Sequence, residues 1–218
     1  MYRTFTITST TSNMKKIMFN DRFGLTKKVL DGNKTQTRRN IPQSVIDKVE
    51  EFRMEYYDMT LDALTVEEAL QQYFFVEKLG KLPYKVGEIV AVAQSYKEVF
   101  GEGCGKESET GYSNKMFVKP ELMPHQIRIT GVRIEKLQDI SEEDVLKEGF
   151  SYRSGCEFME DNRRGFYLGY LTKSKKASRH IFDFCAQTAY SILIDSISSK
   201  KVWKTNPLVF VYDFELLK

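Results

Sequence analysis

Apolar and polar positions alternate with period two in some stretches of this chain and recur with helical spacing in others. Residues 15–19 predict a short strand, and residues 23–30 a short helix that turns Val29 and Leu30 inward. Gly32 stops that helix as a C′ glycine does. Residues 34–39 return as a strand or extended loop, and Pro42 ends it. Residues 44–54 and 65–79 predict helices, the second opened by a capping box of Thr65 and Glu68. A turn over 84–88 precedes a predicted strand over 89–99, whose apolar start is Ile89, Val90, Ala91 and Val92.

Residues 101–114 are rich in Gly, Ser and Glu and predict a loop. Its Gly101-to-Glu107 run is not a phosphate loop: the spacing is wrong, and Glu107 stands where a hydroxyl must reach magnesium. Residues 126–137 alternate through Ile127, Ile129, Val132, Ile134 and Leu137, with a bulge expected at Gly131. Ser141 N-caps a short helix to Glu148, with Asp144 at its third position and Gly149 as its stop. Residues 151–179 are polar, aromatic and basic and predict a long loop, followed by an amphipathic helix over 179–197. Asn206-Pro207 marks a turn before a closing strand over 208–217. About five strands separated by short helices predict an α+β fold built on a small mixed or antiparallel barrel.

Length narrows this picture. The 218 residues suit one large domain with an insertion, and 15 Phe and 12 Tyr supply a core. Residues 1–13 are Ser/Thr-rich and lack the apolar segment of a secretion signal, so they read as a flexible extension to a single domain over 14–218. No stretch approaches the roughly 20 apolar residues of a membrane span. Cys104, Cys156 and Cys185 are odd in number and far apart, which suits a reducing cytoplasm. With only His125 and His180 besides, no spacing matches a zinc site, so neither metal nor cofactor is expected.

Charge is unevenly spread. Residues 1–43 hold nine Lys/Arg against two Asp/Glu, whereas residues 44–77 hold two against nine. A basic motif is thus followed by an acidic helical segment, read as an insertion over 44–80 and as a candidate surface for a protein partner. The basic part centres on Lys34-Thr35-Gln36-Thr37-Arg38-Arg39. In an extended chain Lys34, Gln36 and Arg38 share one face, and Thr35, Thr37 and Arg39 the other. An ammonium, two hydroxyls and two guanidiniums make this run a candidate binder of phosphate or carbonyl groups, and Thr37 a candidate nucleophile. Arg163 and Arg164, with Phe166, Tyr167 and Tyr170 close behind, form a second candidate ligand-binding surface, in which cations would meet phosphates and rings would stack on bases.

Four segments, taken in order, resemble the ASCH family of the PUA-like superfamily, and within it the branch associated with phages and gut bacteria. They are Gly32-x-Lys34-Thr35-x-Thr37-Arg38-Arg39; Tyr84-x-x-Gly87-Glu88-Ile89-Val90; the strand-to-helix stretch ending Ser141-Glu142-Glu143-Asp144 and Glu148-Gly149; and Trp203-x-x-Asn206-Pro207-Leu208 with the strand after it. The resemblance implies a PUA-like mixed barrel with flanking helices and a cleft beside the Lys34–Arg39 element. It implies binding of RNA or a modified nucleoside. Small bacterial members are amidohydrolases that remove the acetyl group of N4-acetylcytidine with a Lys, a Thr three positions on and a Glu. Those roles carry over to Lys34, Thr37 and Glu148, with Glu142 and Glu143 competing for the last. The branch usually follows its Gly-Asp/Glu turn with Arg-Glu-x-Trp, where this chain has Ala93-Gln94-Ser95-Tyr96.

Three functions follow as expectations: binding of RNA or a modified nucleoside through Lys34, Thr35, Thr37, Arg38 and Arg39; hydrolysis of an N-acylated pyrimidine nucleoside; and a phage or mobile-element accessory role through the acidic helices. An ideal strand sets Lys34 and Thr37 on opposite faces, so direct contact between them requires a local break.

Overall fold

The computed structural model describes residues 14–60, 65–71, 82–154, 165–173, 178–198 and 201–217. Within them the chain is mixed α and β, with eight strands and seven helices. Five strands form one sheet: β1 (Lys15–Ile17), β2 (Gln36–Asn40), β3 (Ile89–Val92), β4 (Gln126–Lys136) and β8 (Leu208–Leu217). Their order is β1-β3-β4-β8-β2, antiparallel except for the parallel β1–β3 pair. Among the described residues β1 and β2 remain the two edges, so the expected barrel does not close. The cause is length: each edge strand pairs for only three to five residues, too short to curl round to the other.

β4 and β8 form the spine. Their register shifts between Ile129 and Gly131, the bulge that the alternation had placed at Gly131. Beyond it Gly131, Arg133 and Glu135 stand opposite Asp213, Val211 and Val209, and on β2 Gln36 and Arg38 stand opposite Asp213 and Val211. One sheet face therefore carries Gln36, Arg38, Arg133, Glu135 and Asp213 together. The other carries Ile134, Phe210, Tyr212 and Phe214, all buried in the core.

Short helices cover the sheet. Helix α1 (Leu25–Leu30) follows a 3-10 turn capped by Asn20, whose side chain accepts from the Arg22 amide at 3.0 Å. Acidic α2 (Gln43–Thr60) contributes Val49 to the core. Helix α3 (Val66–Gln71) opens with the expected capping box, Thr65 and Glu68 bonding each other's end groups at 2.8–3.2 Å, and buries Ala69 and Leu70. The rest of that expected helix, over 72–79, lies outside the described residues. Helix α5 (Glu142–Lys147) is N-capped by Ser141, which accepts from the Asp144 amide at 3.1 Å. Helix α6 (Ala186–Ile197) buries Ala186, Ala189, Tyr190 and Leu193, a single stripe at helical spacing. Helix α7 (Val202–Thr205) is one turn.

Three expectations change. The 89–99 strand stops at Val92, because Ser95 and Glu98 make a capping box that starts helix α4 (Tyr96–Phe100). The loop expected over 151–179 contains a second sheet of β5 (Ser151–Arg153), β6 (Phe166–Lys173) and β7 (Ser178–Asp183), in the order β5-β6-β7. Interleaved Lys and Arg made that stretch look like a solvated loop, yet Phe166, Tyr167, Leu168, Tyr170, Leu171 and Thr172 are strand formers. Since Ser178–Asp183 is a strand, the following helix begins at Ala186 rather than at 179.

Gly32 connects the fold to the basic run. It adopts φ +73, and the amides of Gly32, Asn33 and Lys34 return to the carbonyls of Val29 and Lys28 at 2.9–3.0 Å. A side chain there meets no neighbour but must take the left-handed conformation. Gly32→Ala is therefore expected to lower stability by about 1 kcal/mol, as measured by urea unfolding.

Candidate functional site

Two backbone hydrogen bonds set the register around Lys34. The Thr35 amide donates to the Lys147 carbonyl at 2.9 Å, and the Phe214 amide donates to the Thr35 carbonyl at 2.8 Å. The first ties the end of the α1 turn to the end of α5. It brings Lys34 beside Glu148, the residue after Lys147. Glu148 is the C-cap of α5, and Gly149 at φ +99 turns the chain away immediately afterwards.

Lys34 and Glu148, 114 residues apart in sequence, form a buried ion pair between Nζ and Oε2. The ammonium also donates to the Glu148 main-chain carbonyl at 3.3 Å. Their side chains are 2% and 5% exposed, so solvent screens this pair very little. Burial pushes the Lys34 pKa below its ordinary value. Glu148 opposes that shift, while the charges of Arg39 and Arg38 reinforce it.

Arg38 organises the rest. Its Nη1 donates to Gln36 Oε1 at 2.5 Å and to Glu148 Oε1 at 3.2 Å. Its Nε and Nη2 donate to Glu135 Oε1 at 3.0 and 2.6 Å, and Nη2 also to Asp144 Oδ2 at 2.9 Å. The guanidinium lies over the Tyr190 ring, 5.8 Å from its centroid, and the Tyr190 hydroxyl donates to Glu148 Oε1 at 3.3 Å. Burial works against the charged form of Arg38, but Glu148, Tyr190 and Glu135 outweigh it and raise its pKa.

A second arginine closes the network. Arg133 reaches Glu135 at 3.1 Å, Asp144 at 2.5 Å and Asp213 at 3.0 Å. The Gln36 amide bridges Asp144 at 3.0 Å and Asp213 at 2.7 Å. Burial would raise the Asp144 pKa, yet the Gln36 hydrogen bond and the Arg133 and Arg38 charges hold it below its ordinary value. Lys34 and Arg38 are thus already partnered by carboxylates, an arrangement suited to positioning and proton transfer more than to phosphate capture.

The expected site residues divide accordingly. Lys34, Arg38 and Glu148 meet. Glu142 and Glu143, on the first turn of α5, do not reach Lys34; Glu143 pairs with Lys147 at 2.6 Å instead. Thr37 is buried and stands opposite Tyr212 on β8, on the strand face away from Gln36 and Arg38. Among the described residues no hydrogen bond joins it to Lys34 or Glu148. Lys34 itself precedes β2, on the turn rather than in the strand. Thr35 is held by its backbone. Arg39 donates to the Met18 carbonyl at 2.6 Å and lies over the Phe19 ring at 5.7 Å. Arg163 and Arg164 lie outside the described residues.

Gln36 joins the site on the face that strand alternation gives it, and Glu135, Asp144, Asp213, Arg133 and Tyr190 complete it without having been expected there. Asp213 carried a legible signal, a carboxylate inside the apolar run Leu208–Leu217. Tyr190 carried none, since it sits on the apolar stripe of α6. Among the described residues no group of three His, Cys, Asp or Glu side chains could hold a metal ion, and no helix is long and apolar enough to cross a membrane. No family model, curated protein or solved structure matches this chain.

Two outcomes test this network. Glu148→Ala removes the shared acceptor of Lys34, Arg38 and Tyr190 and should cost about 3–5 kcal/mol in chemical denaturation, since buried cations lose their partner. Asp144 contributes stability above its unfolded pKa, and that contribution is lost as pH falls through its lower folded value. Asp144→Asn should therefore flatten the acid limb of thermal stability below about pH 4.

Proposed function

We propose that this chain is a PUA-like protein of ASCH type that hydrolyses an N-acylated pyrimidine nucleoside such as N4-acetylcytidine. The observation that carries this reading is the buried Lys34–Glu148 pair, assembled from the α1–β2 turn and the end of α5. Amide hydrolysis needs a base to deprotonate the nucleophile and an acid to protonate the leaving nitrogen. A lysine whose pKa is lowered by burial gives up its proton more readily than an ordinary one, and a carboxylate hydrogen-bonded to it can relay the proton.

In this reaction a water oxygen forms the new bond to the acyl carbon, and the water gives a proton to Lys34. Glu148 passes that proton to the exocyclic nitrogen, the C–N bond breaks, and acetate and the free nucleoside leave. Arg38 and Tyr190 orient Glu148 through its other oxygen. The pair is closed to solvent, so substrate must displace side chains beside it to reach Nζ. RNA binding through phosphate contacts at Lys34 and Arg38 has less support, because both cations already face carboxylates.

The test is release of acetate from N4-acetylcytidine by the purified protein. Lys34→Met and Glu148→Gln should each lower turnover by about 10²–10⁴-fold, with the fold checked by circular dichroism. Thr37→Val should retain turnover, because Thr37 lies on the strand face away from Gln36 and Arg38 and a water is the nucleophile. No turnover by the wild-type protein across a panel of acylated pyrimidine nucleosides would sink the proposal.

A further inference from the structure

A concavity lies on the opposite side of α5 from the buried Lys34–Glu148 pair. It is a cleft of about 850 Å³ lined by Glu142, Glu143 and Leu146 from α5, Tyr152 from β5, Tyr167 from β6 and Phe184 from the turn before α6, with Gly165 at its edge. The Tyr152 and Tyr167 rings are tilted walls, their centroids 5.3 Å apart at 56°. A Cβ added at Gly165 would lie 2.0 Å from the Tyr152 hydroxyl, so bare backbone there lets this ring lie down. Despite that packing, Tyr152 is 51% exposed and Phe184 45%.

The chemistry of the walls selects one class of ligand. Aromatic faces carry negative potential, and two carboxylates stand beside them. Glu143 pairs with Lys147, but among the described residues Glu142 has no cationic partner; it is approached by the Tyr167 hydroxyl, which hydrogen-bonds it. Among the described lining residues there is no cation to meet a phosphate, and a neutral apolar group would desolvate Glu142 without giving its charge a counterion. A Lys or Arg side chain satisfies both features, with its methylene stem against the rings and its charge at the carboxylates. The cleft is larger than one such side chain, which favours a length of chain over a free amine.

We propose that this cleft docks a basic peptide segment of a protein partner, seating an Arg or Lys side chain among Tyr152, Tyr167 and Phe184 with its charge at Glu142. The site is independent of the hydrolytic one, and neither reading depends on the other. Fluorescence anisotropy of the full chain with a fluorescein-labelled octapeptide alternating Arg and Gly tests it. The same peptide with Glu in place of Arg, and a labelled single-stranded RNA, are the controls. The Arg peptide should bind with an affinity that falls as salt rises, and the Glu peptide should not bind. Glu142→Gln and Tyr152→Leu, both at exposed positions, should each weaken binding about tenfold. Glu67→Gln on α3 should leave it unchanged. Equal affinity in Glu142→Gln, Tyr152→Leu and wild type would overturn the proposal. So would an RNA that displaces the peptide from wild type and loses its own affinity in Tyr152→Leu.

Discussion

Burying an ammonium away from water costs several kcal/mol unless a carboxylate meets it and the remaining donors are satisfied. Lys34 is held under that constraint. Its partner Glu148 comes from a distant helix end, so the chain must bring the α1 turn and the α5 terminus together before the lysine can be tolerated inside. The Thr35–Lys147 backbone bond makes that junction, and Gly32 and Gly149 turn the chain on either side of it. Around the pair the same logic spreads outward. Glu148 needs Arg38, Arg38 needs Glu135 and Asp144, and those carboxylates draw in Arg133, Gln36 and Asp213.

Such a network has two consequences. Removing one member leaves another buried and unpaired, so the members stand or fall together, and additivity fails within the group. It also fixes where protons can reside. Arg38 stays charged, Asp144 stays ionised, and Lys34 is the cation whose charge burial disfavours. A lysine that gives up its proton more readily than an ordinary one, among groups whose charges are fixed, suits general base chemistry.

Much of this was legible from local pattern. The Gly32 stop, the Ser141 cap, the Gly131 bulge and the closing strand depend on residues within a few positions of one another. The shared orientation of Gln36 and Arg38 follows from strand alternation alone. What escaped was non-local. The acids that answer Arg38 come from β4 and α5, about a hundred residues downstream, and no spacing reveals that meeting. The pairing of Lys34 with Glu148 came from family resemblance rather than periodicity. The second sheet escaped for another reason: its basic residues concealed a strand-forming run of aromatic and aliphatic side chains. The strand expected over 89–99 ends at Val92 because Ser95 and Glu98 cap a helix, a signal that the apolar run before it masks.

The most direct measurement is an NMR titration of the Lys34 side-chain amine in the folded protein. A lysine poised as a base should titrate below its ordinary value of 10.5, and Glu148→Gln should lower it further by removing the charge that opposes the shift. A Lys34 that titrates at or above 10.5, and does not respond to Glu148→Gln, would contradict the account.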